Sequence, residues 1–148
     1  MRVVIIRHAE VDFCWSKRCT SAKFDSDCRE YDLSPIKNVT YSIPQTVYQK
    51  VYVSELSRNK DTAKILFPNE EYFESWLINC RRQAEGRRQT RKRAKEFVEL
   101  IINDDMDIAV VTHGFYMHTL LQEMKKVGFK MTGSFVKFRN GEYVTAEK

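Results

Sequence analysis

The sequence predicts an α/β protein built around a layered sheet. Three observations carry this. Short apolar runs at 2–6, 50–54 and 107–112 have the form of strands buried on both faces. Between them lie segments whose apolar residues recur at helical spacing, so strands and helices alternate. Each run also stops abruptly at polar residues: Arg7-His8, Ser54 and Thr112-His113.

Taken in order, Arg2 to Ile6 is the first strand. Residues 9–50 are polar, aromatic and irregular, and they contain Pro35 and Pro44. Ser34-Pro35 has the form of an N-cap followed by proline at the first helical position, which predicts a short helix starting there and ended by Pro44. "KVYVS" at 50–54 is a second buried strand. In "RNKDTAKILF", Ala63, Leu66 and Phe67 share a helix face, and Pro68 closes that helix. Tyr72 and Phe73 fit a short third strand. A basic helix is expected from about Glu85 to Asn103, with Phe97, Val98, Ile101 and Ile102 facing inward. "DIAVVTHG" is again a buried strand. "FYMHTLLQEMKKV" is an amphipathic helix stopped at Gly128. "SFVKF" and "EYVTA", separated by Asn140-Gly141, read as a hairpin. No repeat, low-complexity segment or linker divides the 148 residues, so one domain over 1–148 is expected.

Composition narrows the function. Hydrophobic residues make up 43% of the chain, which argues against disorder, and no apolar run approaches the ~18 residues of a membrane span. The first apolar segment is too short for a signal peptide and ends in charge, so a cytoplasmic location is the expectation. Cys14, Cys19, Cys28 and Cys80 contain no Cys-x-x-Cys pair, which disfavours zinc and suits reduced thiols. The net charge of +5 favours an anionic partner, and much of it sits in "RRQAEGRRQTRKRAK" at 81–95. That run reads either as the solvated face of a helix or as a contact for an acidic partner. It holds no aromatic residue on which bases could stack, which speaks against single-stranded nucleic acid.

The chemistry collects at strand ends. In open α/β sheets the carboxyl ends of the strands form the ligand crevice, so Arg7, His8, Arg58 and His113 can converge although they are far apart in sequence. Such a set suits a phosphoryl group. Guanidinium forks bind phosphate oxygens in pairs and stay charged. A neutral imidazole between them can attack phosphorus, and a second can stabilise charge on the equatorial oxygens.

The motifs also carry a resemblance. "IIRHAE" resembles the Arg-His-Gly signature of the histidine phosphatase superfamily, the phosphoglycerate-mutase-like enzymes. "VYVSELSRNKDTA" is similar to that family's Ser-x-Leu-x-Arg-Ala-x-x-Thr-Ala segment at Ser54, Leu56, Arg58, Thr62 and Ala63, and "VVTHG" to its second-histidine strand end. The resemblance implies a three-layer α/β/α sandwich with a mostly parallel central sheet. It also implies a phosphoric monoester hydrolase working through a phosphohistidine on His8, with Arg7, Arg58 and His113 around the phosphate. Ser54, Gly114 and Glu10 are expected to bind substrate. No metal and no cofactor is expected. The partner would be a phosphorylated small molecule or a phosphoprotein, and the oligomeric state stays open.

The departures are specific. Ala9 stands where the family has glycine, and Asn59 where it has alanine. "YDLSPIKNV" is only similar in outline to the family's Asp-x-Leu-Thr-x-x-Gly segment. In "FESWLINC", Asn79 occupies the place where the family's proton-donating glutamate is expected. Glu74 is the nearest substitute, with Glu71, Glu70, Glu85 and Glu10 behind it. Two alternatives therefore stand beside the phosphatase. One is a phosphate- or partner-binding domain of weak or no activity; the other is mutase-type phosphoryl transfer, for which the ~18 residues between Pro68 and the basic helix leave little room for a cap over the site.

Overall fold

A computed structural model describes residues 1–14, 21–37, 43–44, 46–81, 84–132 and 139–148. Six strands form one sheet: β1 (Arg2–Arg7), β2 (Lys50–Val53), β3 (Tyr72–Glu74), β4 (Ile108–Thr112), β5 (Lys130–Thr132) and β6 (Tyr143–Glu147). Their order is β3-β2-β4-β1-β6-β5. The pairs β3–β2, β2–β4 and β4–β1 are parallel, while β6 runs antiparallel to both β1 and β5. The helices are α1 (Ser21–Leu33), α2 (Ser57–Leu66), α3 (Arg87–Asp104) and α4 (Gly114–Lys126).

Side chains alternate across the pleat, and the register makes the two faces consistent from strand to strand. Val3, Ile5, Tyr52, Ile108, Val110, Val144 and Ala146 face α3 and α4, which cover them with Phe97, Val98, Ile101, Tyr116, Met117, Leu120 and Met124. Val4, Ile6, Val51, Val53, Ala109 and Val111 face the other way, onto Ala63 and Phe67 of α2. α1 packs on α2. Because β1 and β4 are apolar on both faces, they read as unbroken runs in the sequence rather than as alternation. The result is the expected α/β/α sandwich, parallel through four strands and mixed at the β6–β5 edge.

Two local expectations need correction. The helix in the early segment precedes Pro35 instead of starting at it. α1 ends at Leu33, where the Ser34 N–H and hydroxyl both donate to the Glu30 carbonyl, at 2.9 and 2.7 Å. Proline favours the position just past a helix end as well as its first turn, and here the former applies. The second correction concerns the last hairpin. Tyr143–Glu147 is a strand as expected, but its described antiparallel partners are β1 and Lys130–Thr132. Residues 134–138, expected to be the other hairpin strand, lie outside the described residues. Burial explains the placement of β6: Val144 and Ala146 pack opposite Ile5 and Val3. Elsewhere the helix ends match their signals. Gly128 (φ 98°) follows α4 in the left-handed region, and the Gln89 side chain accepts from the Gly86 N–H at 2.9 Å to cap α3.

Candidate active site

The parallel register brings the three polar strand ends side by side. Arg7 lies opposite Thr112, and the His8 N–H donates to the Thr112 carbonyl at 3.0 Å, carrying the β1–β4 ladder one residue beyond the strand. The Ser54 N–H donates to the Val111 carbonyl at 3.1 Å and does the same for β2. His8 and His113 thereby meet with ring centroids 5.3 Å apart. Arg58, in the first turn of α2, lies between them and is only 5% exposed.

The hydrogen bonds fix the tautomers. His8 Nδ1 is 2.7 Å from the Ala9 carbonyl, which can only accept, so Nδ1 carries the proton and Nε2 carries the lone pair. Arg58 Nε donates to that Nε2 at 3.3 Å, and Arg58 Nη2 donates to His113 Nδ1 at 3.2 Å. His113 therefore keeps its proton on Nε2, donating to Ser54 Oγ at 2.9 Å, and Ser54 Oγ donates to Asn79 Oδ1 at 2.8 Å. The Asn59 amide is packed against the same His113 nitrogen, 3.2 Å away. Since that nitrogen is a donor, the amide oxygen is the atom suited to face it.

Burial and the two arginines keep both imidazoles neutral. His8 is pushed down to about 3, first by desolvation and then by the charges of Arg58 and Arg7, against the partial support of the Ala9 carbonyl. His113 is held well below its ordinary value by desolvation first and by Arg58 next. Arg7 is lowered as well, mainly by burial and partly by Arg58. A bound anion would relieve this repulsion.

Supporting residues hold the constellation in place. Thr62 Oγ1 donates to the Arg58 carbonyl at 2.7 Å and accepts the Ala9 N–H at 2.9 Å, tying α2 to the loop behind His8. Asn140 Nδ2 donates to the carbonyls of His8 and Ala9 at 3.1 and 3.3 Å, while the Gly141 N–H, at φ 82°, donates to the Arg7 carbonyl at 3.3 Å. Gly114 is set by proximity: a Cβ there would lie 3.1–3.3 Å from Arg7 side-chain atoms.

The end of α1 leans over this floor. The Tyr31 ring stacks on the Arg58 guanidinium, 4.9 Å from centroid to Cζ, and burial raises the Tyr31 hydroxyl above its usual range. Asp32 forms an ion pair with Arg58 Nη1. The site opens into a cleft of about 780 Å³ lined by Arg7, His8, Tyr31, Arg58, His113 and Gly114, which continues along α3 and α4.

The other residues singled out in the sequence lie elsewhere. Ser54 is fully buried behind His113 and touches its ring instead of the cleft. Glu10 pairs with Lys37 at 3.1 Å on the surface. Glu74 ends β3 at the sheet edge with its carboxylate 3.5 Å from Lys60 Nζ, and neither glutamate lines the cleft. Asn79, 8% exposed, accepts from Ser54 and from the Glu55 N–H (3.0 Å) and donates to Glu55 Oε2 (3.0 Å). Tyr31, Asp32, Thr62 and Asn140 are the parts whose roles sequence reasoning missed. In the sequence Thr62 stands out only as a motif position, Tyr31 only as an aromatic of the early segment that could contact substrate or cover the core, and Asn140 only as a turn residue. Trp15 and Tyr41, aromatics of the early segment that could contact substrate, and Lys17 and Arg18, which could extend the positive field around the site, lie outside the described residues. Among the described residues no grouping of His, Cys, Asp and Glu is able to hold a metal ion, and no helix is long and apolar enough to cross a membrane.

With this geometry established, comparison with solved structures identifies the fold. The chain superposes on a candidate alpha-ribazole-5'-P phosphatase from Escherichia coli with a TM-score of 0.65 at 14% identity, over 98% of this chain and 89% of that one. It matches the alpha-ribazole phosphatase of Shigella flexneri (TM-score 0.57, 16% identity, 84% and 79% of the two chains). A mycobacterial glucosyl-3-phosphoglycerate phosphatase gives a TM-score of 0.53 at 14% identity, again over 84% and 79%. The fold is the α/β sandwich of these phosphoglycerate-mutase-like structural neighbours. No protein-family model and no curated protein matches the sequence.

Proposed function

We propose that this chain is a phosphatase that hydrolyses a phosphoric monoester, or a phosphoramidate, through a phosphohistidine on His8. The observation that carries the reading is the His8 tautomer: Nδ1–H is held by the Ala9 carbonyl, leaving the Nε2 lone pair beside Arg58 at the head of the cleft. A histidine held neutral by burial and flanking guanidinium groups is available as a nucleophile throughout the neutral pH range. The site is also the one that phosphate chemistry requires, with two guanidinium groups and a second imidazole around one point.

In the reaction, Nε2 attacks phosphorus, the P–O bond to the leaving group breaks, and that oxygen takes up a proton. Water then attacks phosphorus and the P–N bond breaks, its electron pair returning to Nε2 while the water's proton goes to the carboxylate that gave one in the first step, so that phosphate leaves and His8 is neutral again. Arg7 and Arg58 hold the equatorial oxygens, and His113 shares their charge. Asn79 cannot supply the proton, because an amide does not give one up. We assign that step to Asp32, whose carboxylate already sits on Arg58. An incoming phosphate competes for the same guanidinium, and a carboxyl displaced to the side of a phosphate dianion favours its protonated form. The similarity to proteins named as phosphatases lends the reading fold-level support only.

The test is phosphate release from p-nitrophenyl phosphate by the wild type and by His8→Ala. Activity that survives the substitution overturns the reading. A second reading, phosphate binding without turnover, is favoured by the engaged amide at Asn79. It predicts phosphate-dependent stabilisation in the wild type with no phosphate release even from activated esters.

A further inference from the structure

The basic run at 81–95 has no part in the chemistry above, yet the structure divides it in two. On one side Lys92 and Lys95 face solvent and pair with Glu96 and Glu99 one turn on, at 3.9 and 3.6 Å. On the other side Arg81, Arg87 and Arg91 line the cleft that begins at His8. Arg87 opens α3 and Arg91 follows one turn later, so both project from the same helix face. Thr90 of α3 and Thr119 and Gln122 of the adjacent α4 line the same cleft.

The charge on this wall is largely uncompensated. Among the described residues no aspartate or glutamate lines the cleft, and Asp32, the carboxylate over its floor, is paired with Arg58. Glu85, next in sequence to this wall, is bound to Arg93 through both oxygens at 2.7 and 2.8 Å. Arg81 donates to the Glu85 backbone carbonyl at 2.8 Å, which positions its guanidinium without neutralising it. Arg91 has Glu123 at 3.4 Å, a carboxylate that Lys126 already holds at 2.7 Å. The volume of about 780 Å³ is also that of a pocket for a whole small molecule and not for a phosphate alone.

From these observations we propose that Arg81, Arg87 and Arg91 form a second anion subsite. On the phosphatase reading above, on which this rests, the preferred substrate is then a small molecule with a second phosphoryl group remote from the one His8 attacks. Three guanidinium groups offset only by a carboxylate that Lys126 shares favour a dianion, and two anionic ends fix the substrate's direction in the cleft.

The experiment compares alkanediol bisphosphates of two to six carbons with the matching alkyl monophosphates, so that the reacting end is held constant. Wild type should favour at least one bisphosphate by about tenfold or more in kcat/KM, the worth of one or two charge-assisted hydrogen bonds. The double variant Arg87→Ala/Arg91→Ala should lose that preference while turning over p-nitrophenyl phosphate as wild type does. The equally discharged Arg88→Ala/Lys92→Ala should keep it. Equal use of both series by the wild type, or equal loss in the two double variants, overturns the proposal. Titration calorimetry of the same ligands on His8→Ala reads the subsite without turnover. A bisphosphate preference there, lost with Arg87 and Arg91, supports the subsite even if wild type proves inactive, and no preference there overturns it.

Discussion

The floor of the cleft and its rim are built in different ways. The floor, at the carboxyl ends of β1, β2 and β4, consists of side chains at or below 8% exposure joined by hydrogen bonds: His8, Ser54, Arg58, Asn59, Asn79 and His113. The rim is held by ion pairs with one partner exposed or half-exposed, such as Asp32 (38% exposed) on the buried Arg58 and Arg91 (60%) on the buried Glu123. Desolvated contacts are strong and costly to break, whereas exposed ion pairs contribute about 0–1 kcal/mol. The floor should therefore determine whether the reaction occurs, and the rim which molecules enter it.

The largest effect tests the floor. On the proposed mechanism His8→Ala should lower kcat on p-nitrophenyl phosphate by roughly a thousandfold or more, since it would remove the covalent nucleophile and leave only binding and charge stabilisation. Circular dichroism should stay native, because position 8 lies beyond the last residue of β1.

Gly114→Ala comes next. The added methyl group would sit 3.1–3.3 Å from Arg7 and push its guanidinium off position. Activity should fall by about three- to tenfold, as expected when a phosphate-binding group shifts by a few tenths of an ångström, well short of the ~100-fold cost of a 1 Å misplacement. Urea midpoints should move much less. A variant with full activity would show that Arg7 position is not set by this contact.

Asp32→Asn crosses from rim to floor and sharpens the contrast. Phosphate should bind more tightly, because Arg58 loses its internal competitor, and millimolar phosphate should raise the melting temperature more than in wild type. Turnover of esters with poor leaving groups, such as alkyl phosphates, should fall by about ten- to a hundredfold, the range of positioned acid catalysis, while p-nitrophenyl phosphate changes little. If Glu74→Gln gives that pattern and Asp32→Asn does not, the proton comes from the sheet edge instead.

Much of the floor was legible in the sequence because strands buried on both faces are continuous apolar runs, and the residues that end them stand out. Arg7-His8, Ser54, Arg58 and Thr112-His113 were visible for that reason. The rim was not. α1 carries few apolar residues at helical spacing, and Leu33 is 82% exposed, so no periodic signal marks the helix that delivers Tyr31 and Asp32. Pro35 fits either end of a helix. The charge at 81–95 was plain, but its division into a solvent side and a cleft side depends on how α3 packs against α4. Asn140-Gly141 has the sequence of a turn, and nothing local indicates that the asparagine reaches back to His8.

A smaller effect is expected from pH. Both histidines are lowered in the folded state, His8 to about 3, so the unfolded chain binds more protons as pH falls below about 6.5. The stability they contribute is complete above 6.5 and is lost as pH falls toward 3. His8→Gln should flatten the fall in urea midpoint between pH 7 and pH 4.5, by on the order of 1–3 kcal/mol. An unchanged slope would remove the case for an imidazole buried neutral. The smallest effect belongs to the outer surface: Glu10→Gln, which breaks only the Lys37 pair, should leave activity within about twofold and stability within about 0.5 kcal/mol.

The sheet order has a consequence for how the chain comes into being. β1 is made first, yet both of its neighbours, β4 and β6, lie in the last third of the sequence. Until Ile108–Thr112 has left the ribosome, Val3 to Ile6 have no strand to pair with and no helix α4 to cover them. Pairings of such long sequence separation form late and slowly. The nascent chain therefore carries an apolar, β-prone segment without its partner strands until β4 emerges, the kind of stretch that chaperones hold and that aggregation captures. The strand that ends at His8 is thus also a segment exposed to loss before folding is complete.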